Sequence, residues 1–216
     1  MKKLLSYLWP LTTKLDSDHN GVLELTWYNG KKLLDTKNAN YSYGLLQKVL
    51  ETGLKEIDLS KVNSVLLLGL GGGSVVKSLR EKFNYTGSIH AIELDAKVIA
   101  IAESEFGISN SQNLSIEQGD ALSFVKHCSS KYDLIIVDLF IDTLVPEQFL
   151  GYDFCNELTN ISSYFILYNL GIELPKDDLA HEVSTFFKNS NDYKVNILKK
   201  VEQKNTLLLV EKNQSK

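Results

Sequence analysis

Four glycines, Gly69, Gly71, Gly72 and Gly73, fall within five positions of the run VLLLGLGGGS (65–74). Backbone without side chains lets a ligand come close, and the helix that follows presents N–H groups at its amino end. Such a run also costs conformational entropy that a plain strand-to-helix turn need not incur. About 20 residues further on, Glu93 lies at the end of SIHAIEL (88–94), where a carboxylate can accept from two vicinal hydroxyls. Asp95 has two open roles, a ligand contact or the N-cap of the next helix. Asp120, after Gly119, can accept from an adenine amino group with Ala121 leaving space for the ring, or can cap a helix over 121–128. Asp138, immediately after YDLIIV (132–137), is the candidate catalytic or substrate-orienting acid.

These features suit a nucleotide-like ligand. The spacing Gly69-x-Gly71-x-x-Ser74 loosely imitates the dinucleotide fingerprint, with serine where the third glycine or alanine belongs. The loop and Glu93 by themselves leave a dinucleotide and an adenosyl-sulfonium ligand both open. Charge separates them. Residues 91–160 hold twelve acids and three lysines, with Glu93, Asp120, Asp138 and Asp142 at or just beyond carboxyl ends of expected strands. Ligands of open parallel sheets bind at those ends, so the cleft is expected to repel a pyrophosphate and attract a sulfonium or ammonium. No metal set is expected: the four histidines are dispersed, and Cys128 and Cys155 have no metal spacing. Cys155 reads as core.

The elements that must position these residues alternate. The spacing predicts a small antiparallel meander over 11–35 with an Asn29-Gly30 hairpin turn, then a helix from Tyr43 to Glu56. Strands follow at 62–70, 88–94, 113–119, 132–139 and 163–170, separated by helices at 74–83, 96–106, 121–128 and 147–161. That alternation indicates a doubly wound, mainly parallel sheet. After a helix at 177–190, strands at 193–201 and 205–212 are joined by three residues, a link that allows only an antiparallel pair. The expected fold is α/β, with a seven-stranded mixed sheet in residues 41–216 and an N-terminal arm and meander in residues 1–40. Leu23, Leu25, Trp27 and Leu33 of the meander have too little core of their own and must pack on the main domain or on a partner.

Composition limits the partners. Of 216 residues, 44% are apolar and 23% charged, the balance of a globular chain. A net charge of −4 and a single arginine, Arg80, argue against a nucleic-acid surface. No apolar run is long enough to span a membrane, and the start, MKKLLSYLWPL, reads as a packed helix or arm. Two cysteines fit a reducing compartment, so a cytoplasmic location is expected.

VLLLGLGGGS, AIELD, EQGDA and YDLIIVD, followed by Pro146, resemble the spermidine synthase superfamily over about residues 22–170. The resemblance implies a Rossmann-like sheet of the class I S-adenosylmethionine-dependent methyltransferase type. It also implies that Gly69, Gly71 and Gly73 surround the aminoacyl or aminopropyl arm of the cofactor, that Glu93 binds ribose, and that Asp120 contacts adenine. Asp138 then corresponds to the aspartate that orients or deprotonates the acceptor, Tyr43 in NYSYG to a tyrosine near the amine site, and the meander to a small β-domain used in homodimer contacts. Three departures bear on the reaction. Gly72 stands where aminopropyltransferases carry an aspartate for the cofactor amine. The loop after the fourth expected sheet strand reads Asp138-Leu-Phe-Ile-Asp142 rather than aspartate, two small residues and aspartate-proline. Tyr43 is followed by Gly44 and Leu45 rather than histidine and glutamate. Intact S-adenosylmethionine and methyl transfer to a small acceptor, an amine among the candidates, is the resulting expectation, with Tyr43 and Asp142 shaping the acceptor side. Aminopropyl transfer from decarboxylated S-adenosylmethionine is the alternative. A third reading is a non-catalytic adenosyl-ligand-binding protein, with Leu139, Phe140 and Ile141 closing the acceptor pocket.

Overall fold

The computed structural model describes residues 2–36, 40–42, 44–141, 143–171, 177–202 and 204–213. The chain begins with one helical turn, Lys2–Leu5 (α1), followed by an antiparallel sheet of Leu11–Ser17 (β1), Gly21–Tyr28 (β2), Lys31–Thr36 (β3) and Asn40–Ser42 (β4). Asn29 and Gly30 take the positive φ values, 47° and 74°, that the β2–β3 turn requires. The spacing predicts three meander strands. The fourth, too short to show a period of its own, pairs with β3 and carries the small sheet past the expected boundary at residue 40.

Leu45–Leu54 (α2), Ser64–Leu68 (β5) and Ser74–Lys77 (α3) come next. The helix expected over 74–83 does not stay α-helical: it continues as a π turn over Ser78–Lys82, with Phe83 N–H donating to the Ser78 carbonyl at 3.1 Å. Ser88–Glu93 (β6), Ala96–Phe106 (α4), Leu114–Gln118 (β7), Ala121–His127 (α5) and Tyr132–Val137 (β8) follow. The helix expected over 147–161 is split into a short 3₁₀ turn and Tyr152–Ile161 (α6), with Gly151 between them in an extended conformation. Ser162–Asn169 (β9), Asp177–Lys188 (α7), Tyr193–Val201 (β10) and Asn205–Lys212 (β11) complete the chain.

The large sheet has the order β7-β6-β5-β8-β9-β11-β10, with β11 antiparallel to both neighbours. This is the expected seven-stranded mixed α/β sheet. Alternate residues of each central strand enter opposite layers: Val65 and Leu67 pack with α2 and α3, while Leu66 and Leu68 pack with α5 and α6. Burial on both faces explains why β5 and β8 read as unbroken apolar runs. Strand order reverses between β5 and β8, which opens a crevice at their carboxyl ends. At the far edge, β10 pairs with β11 through a register shift between Leu198 and Val201, where Lys200 has φ 58°.

The small sheet docks on α4. Leu23 and Leu34, both fully buried, form one cluster with Val98 and Ile101 of that helix. At the helix's amino end, Asp95 accepts from Lys97 N–H at 2.8 Å as N-cap, from the Asn20 amide at 2.8 Å and from the Ser17 hydroxyl. At the carboxyl end, the Lys32 ammonium donates to the Glu105 carbonyl at 3.0 Å and its carboxylate at 2.7 Å, where helix polarity favours a cation. The arm is not packed as expected. Ser6 is buried, taking Gly30 N–H on its hydroxyl at 2.9 Å, but Leu4, Tyr7, Leu8 and Trp9 are exposed.

Replacing Asp95 by alanine removes a cap and the hairpin's polar anchor together. The expected loss is about 2–3 kcal/mol in urea unfolding. Amide exchange should rise more in the β1–β2 turn than in β5; uniform exchange would contradict the anchoring role.

Candidate active site

The parallel register carries the site. Beyond the last paired residues, Gly69 N–H donates to the Ile92 carbonyl, Gly119 N–H to the Glu93 carbonyl and Asp138 N–H to the Leu68 carbonyl, each at 2.9 Å. These bonds bring the ends of β5, β6, β7 and β8 to one level, so Gly69–Gly73, Glu93, Asp120 and Asp138 share one edge of the sheet.

The glycines divide by purpose. Gly69 has φ 92°, and a Cβ there would run into the Asp138 carbonyl; Gly73, with φ 82° at the start of α3, would bring a Cβ to 2.6 Å from Ile108. These two glycines therefore serve chain packing. Gly71 has φ 55°, whereas Gly72 lies outside the left-handed region.

Glu93 is buried, and backbone donors surround it. Its Oε2 accepts from Leu70 and Gly71 N–H at 3.1 Å each, and its Oε1 accepts from Asp95 N–H at 3.1 Å. Burial raises its pKa more than these three bonds lower it, and Asp95 adds to the rise. The carboxylate thus shapes the glycine loop directly, a role that strand-and-loop spacing alone does not reveal. Asp138 is partly buried beside it. Burial pushes its carboxyl up to about 6, the Asn169 amide, donating to Oδ1 at 2.9 Å, pulls it down, and Glu93 pushes it up again. Asp120 caps α5, accepting from Ser123 N–H at 2.8 Å, with Ala121 buried behind it.

Of the residues singled out in the sequence, the structure brings together Gly69, Gly71, Gly72, Gly73, Glu93 and Asp138, with Asp120 and Ala121 one strand further out. Asp95 turns away to the meander, where its carboxylate is spent on Ser17, Asn20 and the start of α4. Tyr43 and Asp142 lie outside the described residues. Asn169 is a residue of the site that motif reasoning misses; its one signal in the sequence is an Asn-x-Gly step closing an apolar strand. Cys155 is fully buried, and burial pushes its thiol up to about 12, as befits core. Among the described residues no three His, Cys, Asp or Glu side chains converge as a metal set, and no helix is long and apolar enough to cross a membrane.

The model of the spermine/spermidine synthase domain matches residues 52–162, half of the chain and the stretch that holds every one of these acids. The chain belongs to that family. A polyamine aminopropyltransferase of Vibrio vulnificus is 33% identical over 106 residues, 48% of this chain and 35% of that protein. The chain spans about a third or less of the length of the curated relatives it matches. Two solved structures share the fold. A probable spermidine synthase from Corynebacterium glutamicum superposes with a TM-score of 0.69 at 16% identity, over 96% of this chain and 82% of that one. Human methyltransferase-like protein 13, in complex with SAH, superposes with a TM-score of 0.66 at 21% identity, over 81% of this chain and 85% of that one. Within the spermine/spermidine synthase domain of this chain, Gly69 and Gly72 are predicted to differ sharply. Gly69→Ala forces a left-handed alanine against Asp138 and should cost about 2–4 kcal/mol. Gly72→Ala should cost under half of that in the same denaturation experiment, and equal losses would refute the division of roles.

Proposed function

We propose that the chain is an S-adenosylmethionine-dependent methyltransferase acting on a small nucleophilic acceptor in the cytoplasm. The observation that carries this reading is at Gly72. Its backbone lies outside the left-handed region, and it supplies no carboxylate to hold a cationic aminopropyl tail. The intact cofactor, with a carboxylate of its own, suits a loop that lacks this acid better. The donor set fits the rest of the ligand. Glu93 offers carboxylate lone pairs to hydroxyl donors, Asp120 offers an acceptor to an amino group, and the paired negative character of Glu93 and Asp138 favours a sulfonium nearby. The free thiols of Cys128 and Cys155 support the cytoplasmic assignment.

S-adenosylmethionine supplies a methyl group already activated on sulfur. The chain's own work is alignment and charge. Glu93 holds the loop and the ribose end. Asp138 has one oxygen fixed by Asn169, and among the described residues nothing donates to the other, Oδ2. Oδ2 is the atom that orients an acceptor N–H or O–H and takes its proton. Asp138 does this as a carboxylate, so turnover should fall as pH drops below about 6. Aminopropyl transfer, the named activity of the Vibrio vulnificus relative, is the alternative.

Calorimetry should show S-adenosylmethionine binding more tightly than its decarboxylated form. Gly72→Asp should shift that preference by about tenfold toward the decarboxylated ligand through like-charge repulsion. Asp138→Asn should keep cofactor affinity and lower methyl transfer, read by product mass, by about 10²–10⁴-fold. Conversion of putrescine with the decarboxylated ligand would instead establish aminopropyl transfer.

We also propose a homodimer, now resting on the arm. Burial of Leu23 and Leu34 against α4 removes the unsupported meander as a reason for it, whereas Leu4, Leu8, Trp9 and the nearby Tyr28 leave apolar area exposed. Light scattering should give a dimer that Leu8→Asp with Trp9→Ser converts to monomer; a monomeric parent would refute it.

A further inference from the structure

The end of β9 holds a polar side chain that touches the proposed acid Asp138 without itself reaching substrate. Asn169 is fully buried, and both ends of its amide are engaged. Its Oδ1 accepts from Gly171 N–H at 3.1 Å, and its Nδ2 donates to Asp138 Oδ1 at 2.9 Å. The first bond fixes the second. Because a backbone N–H can only donate, Oδ1 must face Gly171, and the NH₂ must then face Asp138. Gly171 is held for this by its own conformation. Its φ is 79°, and a Cβ there would come to 2.9 Å from the Phe140 ring. The loops after β8 and β9 therefore meet at two points, Asp138 on Asn169 and Phe140 on Gly171.

We infer that Asn169 is a positioning residue for the transfer reaction: it clamps Oδ1 of Asp138 so that Oδ2 alone is presented to the acceptor, and it holds Asp138 in the ionised form that the reaction needs. The inference rests on the reading of Asp138 as the acceptor-orienting acid, and it adds a residue outside the 52–162 match of the family. Among the described residues, the charged group facing Asp138 is Glu93 at the end of β6. The glycine loop after β5 brings no titratable side chain, and β9 brings the Asn169 amide. With burial and Glu93 both disfavouring a second negative charge, this amide is, among the described residues, the group that pulls toward ionisation, and a donor to a carboxylate is among the stronger hydrogen bonds.

A strand-end latch, with Asn169 needed only to accept from Gly171, is the competing account. Asn169→Asp separates the two, because its carboxylate still accepts from Gly171 N–H but faces Asp138 with an acceptor and a like charge. Asn169→Leu removes both bonds and serves as a second variant. The full chain, labelled with ¹³C at aspartate carboxyls, is titrated by NMR, with Asp138 assigned from Asp138→Asn. The wild-type midpoint is expected near 6. In Asn169→Asp the two carboxyls share a proton, and the upper midpoint of the pair should rise by about one pH unit or more. Turnover at pH 6.5 should fall about tenfold with cofactor affinity unchanged, and the acid limb of the rate profile should move up with the NMR midpoint. A folded Asn169→Asp whose Asp138 midpoint and acid limb match the wild type overturns the inference in favour of the latch. The titration is read on the free protein, so it decides the role of Asn169 even if the wild type transfers no methyl group, a result that would count against the proposed function alone.

Discussion

Three backbone N–H groups converge on the carboxylate of Glu93, and the arrangement of the site follows from that convergence. A strand end has unpaired donors, and a glycine loop has more of them; without an acceptor they would turn to water and the loop would take no single shape. Glu93 supplies the acceptor from the neighbouring strand, so the loop after β5 is shaped by β6 rather than by its own sequence. The same carboxylate sits close enough to Asp138 to resist its ionisation. One side chain therefore links the shape of the loop to the proton affinity of the acid on the far side of the crevice.

Two residues further along, Asp95 performs the mirror task outward. Its backbone N–H bonds Glu93 while its side chain holds Ser17 and Asn20 of the small sheet. The step Glu93-Leu94-Asp95 is thus a hinge pin between the two sheets. The meander is fastened at both ends of α4, by Asp95 at one and Lys32 at the other, with Leu23 and Leu34 filling the space between. This makes it an integral buttress of the site.

The large fold was legible because its signals are strong and repeated. Short apolar runs such as VLLLGL and YDLIIV, alternating with helical stretches, read as strands covered on both faces, and a three-residue link fixes the antiparallel ending. What escaped was set by contacts remote in sequence. Asp95 read as equally suited to ligand or cap, and Ser17 and Asn20, more than seventy residues away, settled it. Gly69 and Gly73 read as ligand contacts, but Asp138 and Ile108 supply the steric reasons for them. Asn169 offered only an Asn-x-Gly step at a strand end, and its partner Asp138 became visible once β8 and β9 lay side by side. β4 and the π turn are short irregularities with no periodicity to detect.

The free rim of the large sheet also constrains how copies of the chain can meet. β10 exposes three lysines, Lys194, Lys199 and Lys200, and its register slips where Lys200 turns left-handed. A growing ladder needs a flat, uncharged line of donors and acceptors, and this rim is kinked and positively charged. Strand-on-strand stacking is thereby disfavoured at that rim, which guards β10 itself against templated, fibre-like growth.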